Sequence, residues 1–178
     1  MNKRGLSKLA KFLIVFIIIF IILIAIFFTI FFINAKDNSS KSGTVPVNPV
    51  SNLTNEEAIL KFDKSFVFYL LYSIKAYDLH NPPLSSDKPK IEIIISNQVF
   101  NAVIDEGRIL ISEDSISEKD IIIRTTKEES VKMIRDRKYI EDSFKSEKSS
   151  IELVSGKVTL AAKGYLGLYT EITGKSII

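Results

Sequence analysis

Hydrophobic residues are distributed along this chain in two different patterns. Near the N-terminus they form one unbroken block, residues 12–33, in which Thr29 carries the only hydroxyl group and no side chain is charged. At about 1.5 Å of helical rise per residue, the 22 residues of the block reach about 33 Å, which matches the hydrocarbon thickness of a bilayer. The block therefore predicts a transmembrane helix. Beyond residue 53 the pattern changes to the periodic alternation that is typical of a folded domain.

The charges that flank this block predict its orientation. Residues 1–11 contain four basic residues and no acidic one, whereas residues 34–38 are close to neutral. Because the cytoplasmic flank of a membrane helix carries the excess of positive charge, residues 1–11 are predicted to form a basic cytoplasmic tail. The protein is then a single-pass membrane protein with a signal anchor, and the rest of the chain is extracytoplasmic.

Two processing alternatives remain open for this segment. A cleaved secretory signal has an apolar core of about 7–15 residues, which is shorter than this one, although the small residue Ala35 offers a cleavage site. Residues 3–7 resemble the prepilin-type signal of archaeal surface proteins, which is cut after its glycine, here Gly5, and leaves the helix attached. Lys8 and Lys11 argue against this second alternative, because they would lie in helical turns that pilin-like proteins pack with apolar residues.

Residues 34–53 are predicted to form a flexible polar linker. They are rich in Ser, Asn and Lys, contain one glycine and two prolines, and show neither helical nor strand periodicity. Glycosylation sequons begin at Asn38 and Asn52, which are therefore candidate modification sites on the extracytoplasmic side.

Residues 54–178 carry the pattern of one folded domain. Thr54 and Glu57 have the spacing of a helix capping box, and apolar residues recur at helical spacing from there to about Leu79. Five strand patterns follow, at residues 90–96, 98–104, 108–112, 120–124 and 156–162.

Turn and cap residues mark the connections between these elements. Residues 105–107, Asp-Glu-Gly, predict a hairpin turn, and residues 126–129 repeat the capping-box spacing at the start of a short helix. A second amphipathic helix is predicted within residues 135–150, and a last one at residues 164–172 with Gly174 as its C-cap. Because strands and helices are segregated, the expected fold class is α+β, with a five-stranded, largely antiparallel sheet covered by helices.

Composition and charge change the functional picture in two ways. The formal net charge is +3, but six of the 24 Lys and Arg and only one of the 21 acidic residues precede Asn55, which leaves the folded domain at about −2. The basic excess is therefore an orientation signal, and nucleic-acid binding is not expected. The chain contains no cysteine and one histidine, His80, which removes thiolate nucleophiles and His-rich or Cys-rich metal sites.

No catalytic constellation is recognisable in the sequence. Paired acids occur at residues 105–106 and 113–114, but both pairs lie in turn-like segments and are expected to be solvated. Ser115 and Ser117 have no base beside them in the sequence with which to form a nucleophile pair. We expect no enzymatic activity, and no catalytic residue, metal site or cofactor.

From Asp120 onward the order of elements resembles the C-terminal half of the sterol carrier protein-like domain, a small lipid-binding fold. An Asp-led apolar strand is followed by a Thr-capped short helix, a polar helical stretch, a strand opened by Gly156, and a terminal helix containing Leu168. The resemblance covers residues 55–174 and is carried by residues 120–168. It implies a five-stranded sheet covered on one face by helices, with an apolar ligand tunnel between the two layers.

Carried onto this chain, the resemblance also implies a set of tunnel walls. Most of them come from the later helices and the last strand pattern, and two phenylalanines come from the first helix. The ligand-tunnel candidates are Phe62, Phe66, Met133, Ile134, Leu160, Leu166 and Leu168. The alternative for each of them is ordinary core packing.

The expected function is binding of membrane lipid or another apolar ligand by a non-catalytic, extracytoplasmic domain. The anchor would hold the domain near its lipid source by raising the effective concentration. The alternative is a surface interaction module or pilin-like structural module that uses the same fold without a ligand.

Overall fold

The structure is a computed structural model that describes residues 16–17, 19–24 and 46–176. The chain divides into two compact units, Met1–Ser40 and Lys41–Ile178. In the first unit the described residues are helical.

Several predictions for the N-terminal part of the chain fall outside this range. The basic tail, most of the apolar block at residues 12–33 and the sequon at Asn38 lie outside the described residues. Among the residues that are described, no helix has the length and apolar character needed to cross a membrane. Asn52 is described, and it is exposed in a turn before the first helix of the second unit. Val50 is only 1% exposed and belongs to the core, so the folded region includes the end of the predicted linker.

Within residues 46–176 the second unit contains six α-helices, one 3₁₀-helix and five strands. The helices are α1 (Asn55–Leu60), α2 (Lys64–Ser73), the 3₁₀-helix (Ala76–Asp78), α3 (Lys127–Arg135), α4 (Tyr139–Lys145), α5 (Lys157–Ala162) and α6 (Tyr165–Thr173). The strands are β1 (Lys90–Ile95), β2 (Gln98–Asp105), β3 (Arg108–Ser112), β4 (Ile121–Thr125) and β5 (Ser150–Leu153).

The first capping box is confirmed, but the single long helix predicted after it is wrong. The backbone N–H of Thr54 donates to the Glu57 carboxylate at 2.8 Å, and the backbone N–H of Glu57 donates to the Thr54 hydroxyl at 3.2 Å. Helix α1 then ends at Leu60, and Asp63 caps α2 by accepting a hydrogen bond from the backbone N–H of Ser65 at 2.8 Å. Asp63 has an extended backbone, as an N-cap residue does, so the chain starts a new helix there.

The sheet is mixed rather than largely antiparallel, which corrects the sequence-based expectation. Its strand order is β3-β2-β1-β4-β5. Strand β1 pairs antiparallel with β2 and parallel with β4, so that Ile93 lies opposite Phe100 on one side and Ile123 on the other. The connection after β3 carries the chain from the edge of the sheet to the far side of β1, and β4 therefore runs in the same direction as β1.

The strand predicted at residues 156–162 is also wrong, because this segment forms helix α5 after Gly156. The fifth strand lies earlier, at β5, and pairs antiparallel with β4. The β-branched residues Val158 and Thr159 suggested a strand. In the helix Val158 is 85% exposed and Leu160 is buried, so tertiary packing of one residue overrides local propensity.

The predicted turn at Gly107 and C-cap at Gly174 are confirmed, whereas only the Thr126 half of the second capping box is present. The hairpin between β2 and β3 turns through Gly107 at φ +79°, and α6 ends at Gly174 at φ +65°. Thr126 caps α3 by accepting from the backbone N–H of Glu129 at 3.2 Å. The side chain of Glu129 has other partners, which are described below.

One face of the sheet carries the core. Ile91, Ile93 and Ile95 are fully buried and alternate along β1 with residues of the opposite face. The buried side chains of α2, α3 and α6 belong to the same hydrophobic cluster. The helical layer and the sheet therefore enclose one apolar interior.

Candidate functional site

The ligand-tunnel candidates are nearly all buried in this interior. Exposure is 6% or less for Phe62, Phe66, Met133, Ile134, Leu160 and Leu168, whereas Leu166 is half-buried against the core. The rings of Phe62 and Phe66 pack with their centroids 4.9 Å apart. Burial follows equally from a tunnel wall and from core packing, so the role of these residues as tunnel walls stays a prediction.

A small apolar cavity, here called the apolar cleft, lies between the helices and the sheet. It encloses about 10 Å³ and is lined by Leu70, Leu71, Ile74, Ile93, Ile123, Met133 and Phe144. All seven residues are hydrophobic, and Met133 is the one tunnel candidate among them. The volume is about that of a single water-sized sphere, so the cleft as it stands is too small for an acyl chain.

A second cavity, here called the outer pocket, opens on the surface beside the apolar cleft. It encloses about 110 Å³ and is lined by Ser73, Ile74, Arg137, Lys138, Ile140, Glu141, Glu171 and Ile172. Its floor is made of isoleucines and its rim of charged residues. Glu171 accepts from Lys75 at 2.8 Å and from Arg137 at 3.2 Å across this rim. Ile74 lines both cavities, so the two cavities adjoin at this residue.

Helix α4 is the element that covers both cavities. Its residues Ile140 and Glu141 line the outer pocket, and Phe144, one turn later, lines the apolar cleft. Ile140 is 5% exposed, and Phe144 is half-buried. This seven-residue helix therefore forms part of the wall of each cavity.

A buried carboxylate fixes α4 against α3. Glu129 is only 7% exposed, and it accepts hydrogen bonds from Tyr139 at 2.9 Å and Ser143 at 3.1 Å. Lys132 donates to the same carboxylate at 2.8 Å. Burial alone would raise the pKa of Glu129, but the hydrogen bonds from Lys132, Tyr139 and Ser143 together hold it below its ordinary value. We call Glu129, Tyr139 and Ser143 the latch.

Hydroxyl groups extend the latch to the sheet. The hydroxyls of Ser143 and Ser149 lie 2.9 Å apart, and those of Ser149 and Thr125 lie 2.7 Å apart. Lys148 donates to the Tyr139 hydroxyl at 3.2 Å. These contacts connect α4 to the ends of β4 and β5. The only signal for this arrangement in the sequence is the spacing of Thr126 and Glu129, which indicates a capping box.

A second buried polar cluster lies around Asp120, just before β4. Lys163 is 1% exposed, and its ammonium group lies 3.1 and 3.0 Å from the two carboxylate oxygens of Asp120. Tyr165 donates to Asp120 at 3.1 Å, Ser155 at 2.8 Å, and the backbone N–H of Lys90 at 2.8 Å. We call Asp120, Lys163 and Tyr165 the clamp, because they join the start of β4 to the helices α5 and α6.

The surroundings of the clamp are almost closed to water. Burial, followed by the adjacent Asp120 carboxylate, raises the pKa of Tyr165 well above its ordinary value. Asp87, which is half exposed, lies 2.8 Å from Lys163 on the solvent side, and this hydrogen bond lowers the pKa of Asp87. The only sequence signal for this cluster was an aspartate before a strand that begins with three isoleucines.

The acidic residues and serines considered for catalysis lie elsewhere. Ser115 donates to the buried carboxylate of Glu92 at 2.7 Å, and Lys119 donates to the same group at 2.6 Å. Burial alone would raise the pKa of Glu92, whereas the hydrogen bonds from Lys119 and Ser115 lower it. Glu92 therefore ties the connection between β3 and β4 to the outer face of the sheet. Within the described residues no group of acidic residues and histidine is arranged to hold a metal ion.

The comparisons with known proteins give similarity at the level of structure. No protein-family model and no curated protein matches the chain. A crystal structure of sterol carrier protein 2 like 2 from Aedes aegypti is 18% identical, with coverage of 56% of this chain and 94% of that chain and a TM-score of 0.33. The ubiquinone synthesis protein UbiJ-SCP2 is 9% identical, with coverage of 64% and 84% and a TM-score of 0.34.

A third similar structure belongs to a differently described protein. The stereoselective inverting sec-alkylsulfatase Pisa1 from Pseudomonas sp. is 10% identical, with coverage of 77% of this chain and 20% of that chain and a TM-score of 0.36. Sterol carrier protein domains are thus among the structural neighbours. At such low identities and TM-scores, the three likenesses carry no argument about ligand or activity.

Proposed function

We propose that this chain is a membrane-anchored, non-catalytic protein whose extracytoplasmic domain binds membrane lipid or another apolar ligand between its helices and its sheet. The apolar cleft carries the proposal, because all seven of its lining residues are hydrophobic and it lies between the two layers. The length of the apolar block at residues 12–33 and the basic residues before it support the anchor and its orientation.

Binding of an acyl chain requires the cleft to widen. The space present is about 10 Å³, so side chains such as Phe144 and Met133 must move before a ligand enters. Each methylene group that leaves water contributes about 0.8 kcal/mol, which offsets the loss of packing between these side chains. Binding is therefore coupled to a local opening of the helical layer.

Photo-crosslinking of the full chain in phosphatidylcholine vesicles tests the proposal. The probe is palmitic acid with a diazirine near its methyl end, and cross-linked peptides are identified by mass spectrometry. We expect cross-links on peptides that contain Leu70, Met133 or Phe144. If cross-links occur only within residues 12–33, the probe reports the bilayer alone, and the proposed ligand site is wrong.

A matched pair of variants shows whether the cross-links depend on the cleft. Phe144→Glu puts a carboxylate at the half-buried mouth of the cleft and should abolish the cross-links to Leu70 and Met133. Tyr69→Glu changes a half-buried aromatic residue of α2 that does not line the cleft, and it should leave the cross-links unchanged.

The orientation can be tested because the chain has no cysteine. Single cysteines at Ser7 and Ser42 are treated in intact cells with a membrane-impermeant maleimide. We expect labelling of Ser42→Cys only. Labelling of Ser7→Cys in intact cells would contradict the proposed topology.

The closed interior favours one second candidate function, a surface interaction module or pilin-like structural module without a ligand. N-terminal sequencing of the mature protein separates the pilin-like form. A sequence that begins at Leu6 supports it, whereas an intact Met1 excludes it and supports the uncleaved anchor.

A further inference from the structure

Helix α4 has few apolar anchors of its own. In its seven residues the buried side chains are Ile140 and Ser143, and Tyr139 and Phe144 pack half-buried against the core, whereas the apolar side chains that α2 buries are Phe66, Val67, Leu70 and Leu71. The residues on either side of α4, 136–138 and 146–148, are exposed. An element with little buried apolar surface and exposed flanks belongs to the part of a fold that opens at low free energy.

Hydrogen bonds to a single carboxylate add to the packing that holds α4 in place. Tyr139, the first residue of the helix, and Ser143, one turn later, both donate to the same carboxylate of Glu129 on α3. Ser143 also bonds to Ser149, which precedes β5. Bonds to a charged acceptor are stronger than neutral ones. The loss of the Glu129 contacts should therefore release both turns of α4 together.

Release of α4 would join the two cavities. Ile140 and Phe144 would then leave the walls of the outer pocket and the apolar cleft, which already meet at the buried side chain of Ile74. The outer pocket, at about 110 Å³, already opens to solvent. The joined space would lead from the charged rim to the apolar interior.

We propose that α4 is the lid of the apolar cleft and that Glu129 is the positioning residue that holds this lid closed. The inference rests on the proposed function, because it describes how a ligand reaches the cleft. The proposal depends on two observations. One short helix lines both cavities, and two hydrogen-bond donors of that helix converge on one buried carboxylate.

Thiol labelling of the full chain measures opening of the lid directly. The natural chain has no cysteine, so Met133→Cys reports access to the cleft and Leu160→Cys reports access to the core under α5. Both positions are 1% exposed, and Leu71→Cys is a second cleft reporter in case Met133→Cys does not fold. The rate of reaction with N-ethylmaleimide is followed by intact mass spectrometry in native conditions, without added ligand.

Two matched substitutions distinguish the lid from general loosening. Tyr139→Phe removes one hydroxyl that donates to a buried carboxylate in the latch, and Tyr165→Phe removes the equivalent hydroxyl in the clamp. We expect Tyr139→Phe to raise the labelling rate of the cleft reporter about tenfold and to leave the Leu160→Cys rate unchanged. Tyr165→Phe should not raise the rate of the cleft reporter selectively.

Two results would overturn the lid. One is an equal rise at both reporters in the Tyr139→Phe chain, which indicates global unfolding, and the other is no rise at either. The labelling rate is independent of any ligand, so a lid that opens while palmitic acid fails to cross-link would refute the proposed function and keep the lid. Cross-linking of the cleft without a change in the labelling rate would refute the lid and keep the proposed function.

Discussion

The clamp and the latch are both built around a buried carboxylate, but they hold their helices in different ways. In the clamp both charges are inside, since Lys163 is 1% and Asp120 is 2% exposed. In the latch only the acid is inside, since Lys132 is 50% exposed and the donors from α4 are neutral hydroxyl groups. Removal of one partner therefore leaves a buried charge without its counter-charge in the clamp, and only a missing hydrogen bond in the latch.

This difference indicates which helices of the domain are held firmly and which helix can move. The clamp joins β4 to helices α5 and α6, and a buried charge without its partner is costly in free energy. The latch joins α4 to α3, and when it opens Glu129 keeps Lys132 of its own helix as a partner while α4 loses only the hydrogen bonds of neutral hydroxyl groups. The clamp thus holds one end of the helical layer firmly, while α4 is held by hydrogen bonds whose loss costs less free energy.

The largest effect is expected from Lys163→Met. The substitution leaves Asp120 charged and buried without its counter-charge, and it should lower the free energy of unfolding by about 3–5 kcal/mol. Urea unfolding of the full chain in a mild non-ionic detergent, followed by circular dichroism, measures this change.

A double variant serves as the control for this prediction. In Asp120→Asn with Lys163→Met the buried charge is gone, and the Asn side chain still accepts from Lys90 and Tyr165. We expect the double variant to be more stable than Lys163→Met alone. An equal or lower stability would show that packing, and not the charge pair, governs the clamp.

Glu129→Ala should have the next largest effect. It removes the acceptor of Tyr139 and Ser143, and the expected loss in the free energy of unfolding is about 1–3 kcal/mol. Hydrogen exchange of the backbone amides should show faster exchange in α4 than in α6 relative to the natural chain. Faster exchange in both helices to the same degree would remove the distinction between latch and clamp.

Local sequence signals predicted the parts of the fold that depend on neighbouring residues. The capping box at Thr54, the turn at Gly107 and the C-cap at Gly174 each depend on residues a few positions apart, and all three are confirmed. The parallel pairing of β1 with β4 depends on a connection that crosses the sheet, and no local pattern reports it. The strand predicted around Val158 failed because its β-branched residues match either element, and the burial of Leu160 decides for a helix.

The sequence predicted less of the candidate site than of the fold. Lys163 and Asp120 are 43 residues apart in the chain, and a lysine at the end of a helix looks like an ordinary surface charge. Glu129 matched a capping box so well that its contact with Ser143, 14 residues later, had no visible signal. Six of the seven tunnel candidates are buried, but their role as tunnel walls depends on a cavity volume set by side-chain packing that the sequence does not display.

The pH dependence of stability separates the latch from the rest of the molecule. The pKa of Glu129 in the folded state lies below its ordinary value of 4.5, so unfolding in acid is accompanied by uptake of a proton. Its contribution to stability is therefore present above about pH 4.5 and is lost as the pH falls through the lower folded-state value. The Glu129→Gln chain should lose less stability than the natural chain between about pH 5 and pH 3, as measured by urea midpoints. Glu92, whose pKa is also lowered, remains in both chains, so parallel curves would refute the assignment to Glu129.

Lys132→Ala should have the smallest effect, and it makes the sharpest comparison with Lys163→Met. The two ammonium groups lie at similar distances from a carboxylate, 2.8 Å in the latch and 3.0 Å in the clamp, but Lys132 is half exposed and its attraction is screened by water and salt. Replacement of Lys132 should shift the urea midpoint much less than replacement of Lys163.

In about 1 M NaCl, where the Debye length is about 3 Å, the small difference between Lys132→Ala and the natural chain should disappear. The loss caused by Lys163→Met should persist in the same salt, because its charge pair is closed to ions. A salt-sensitive loss at Lys163 would mean that water reaches the clamp, and that the latch is not the only end of the helical layer that opens.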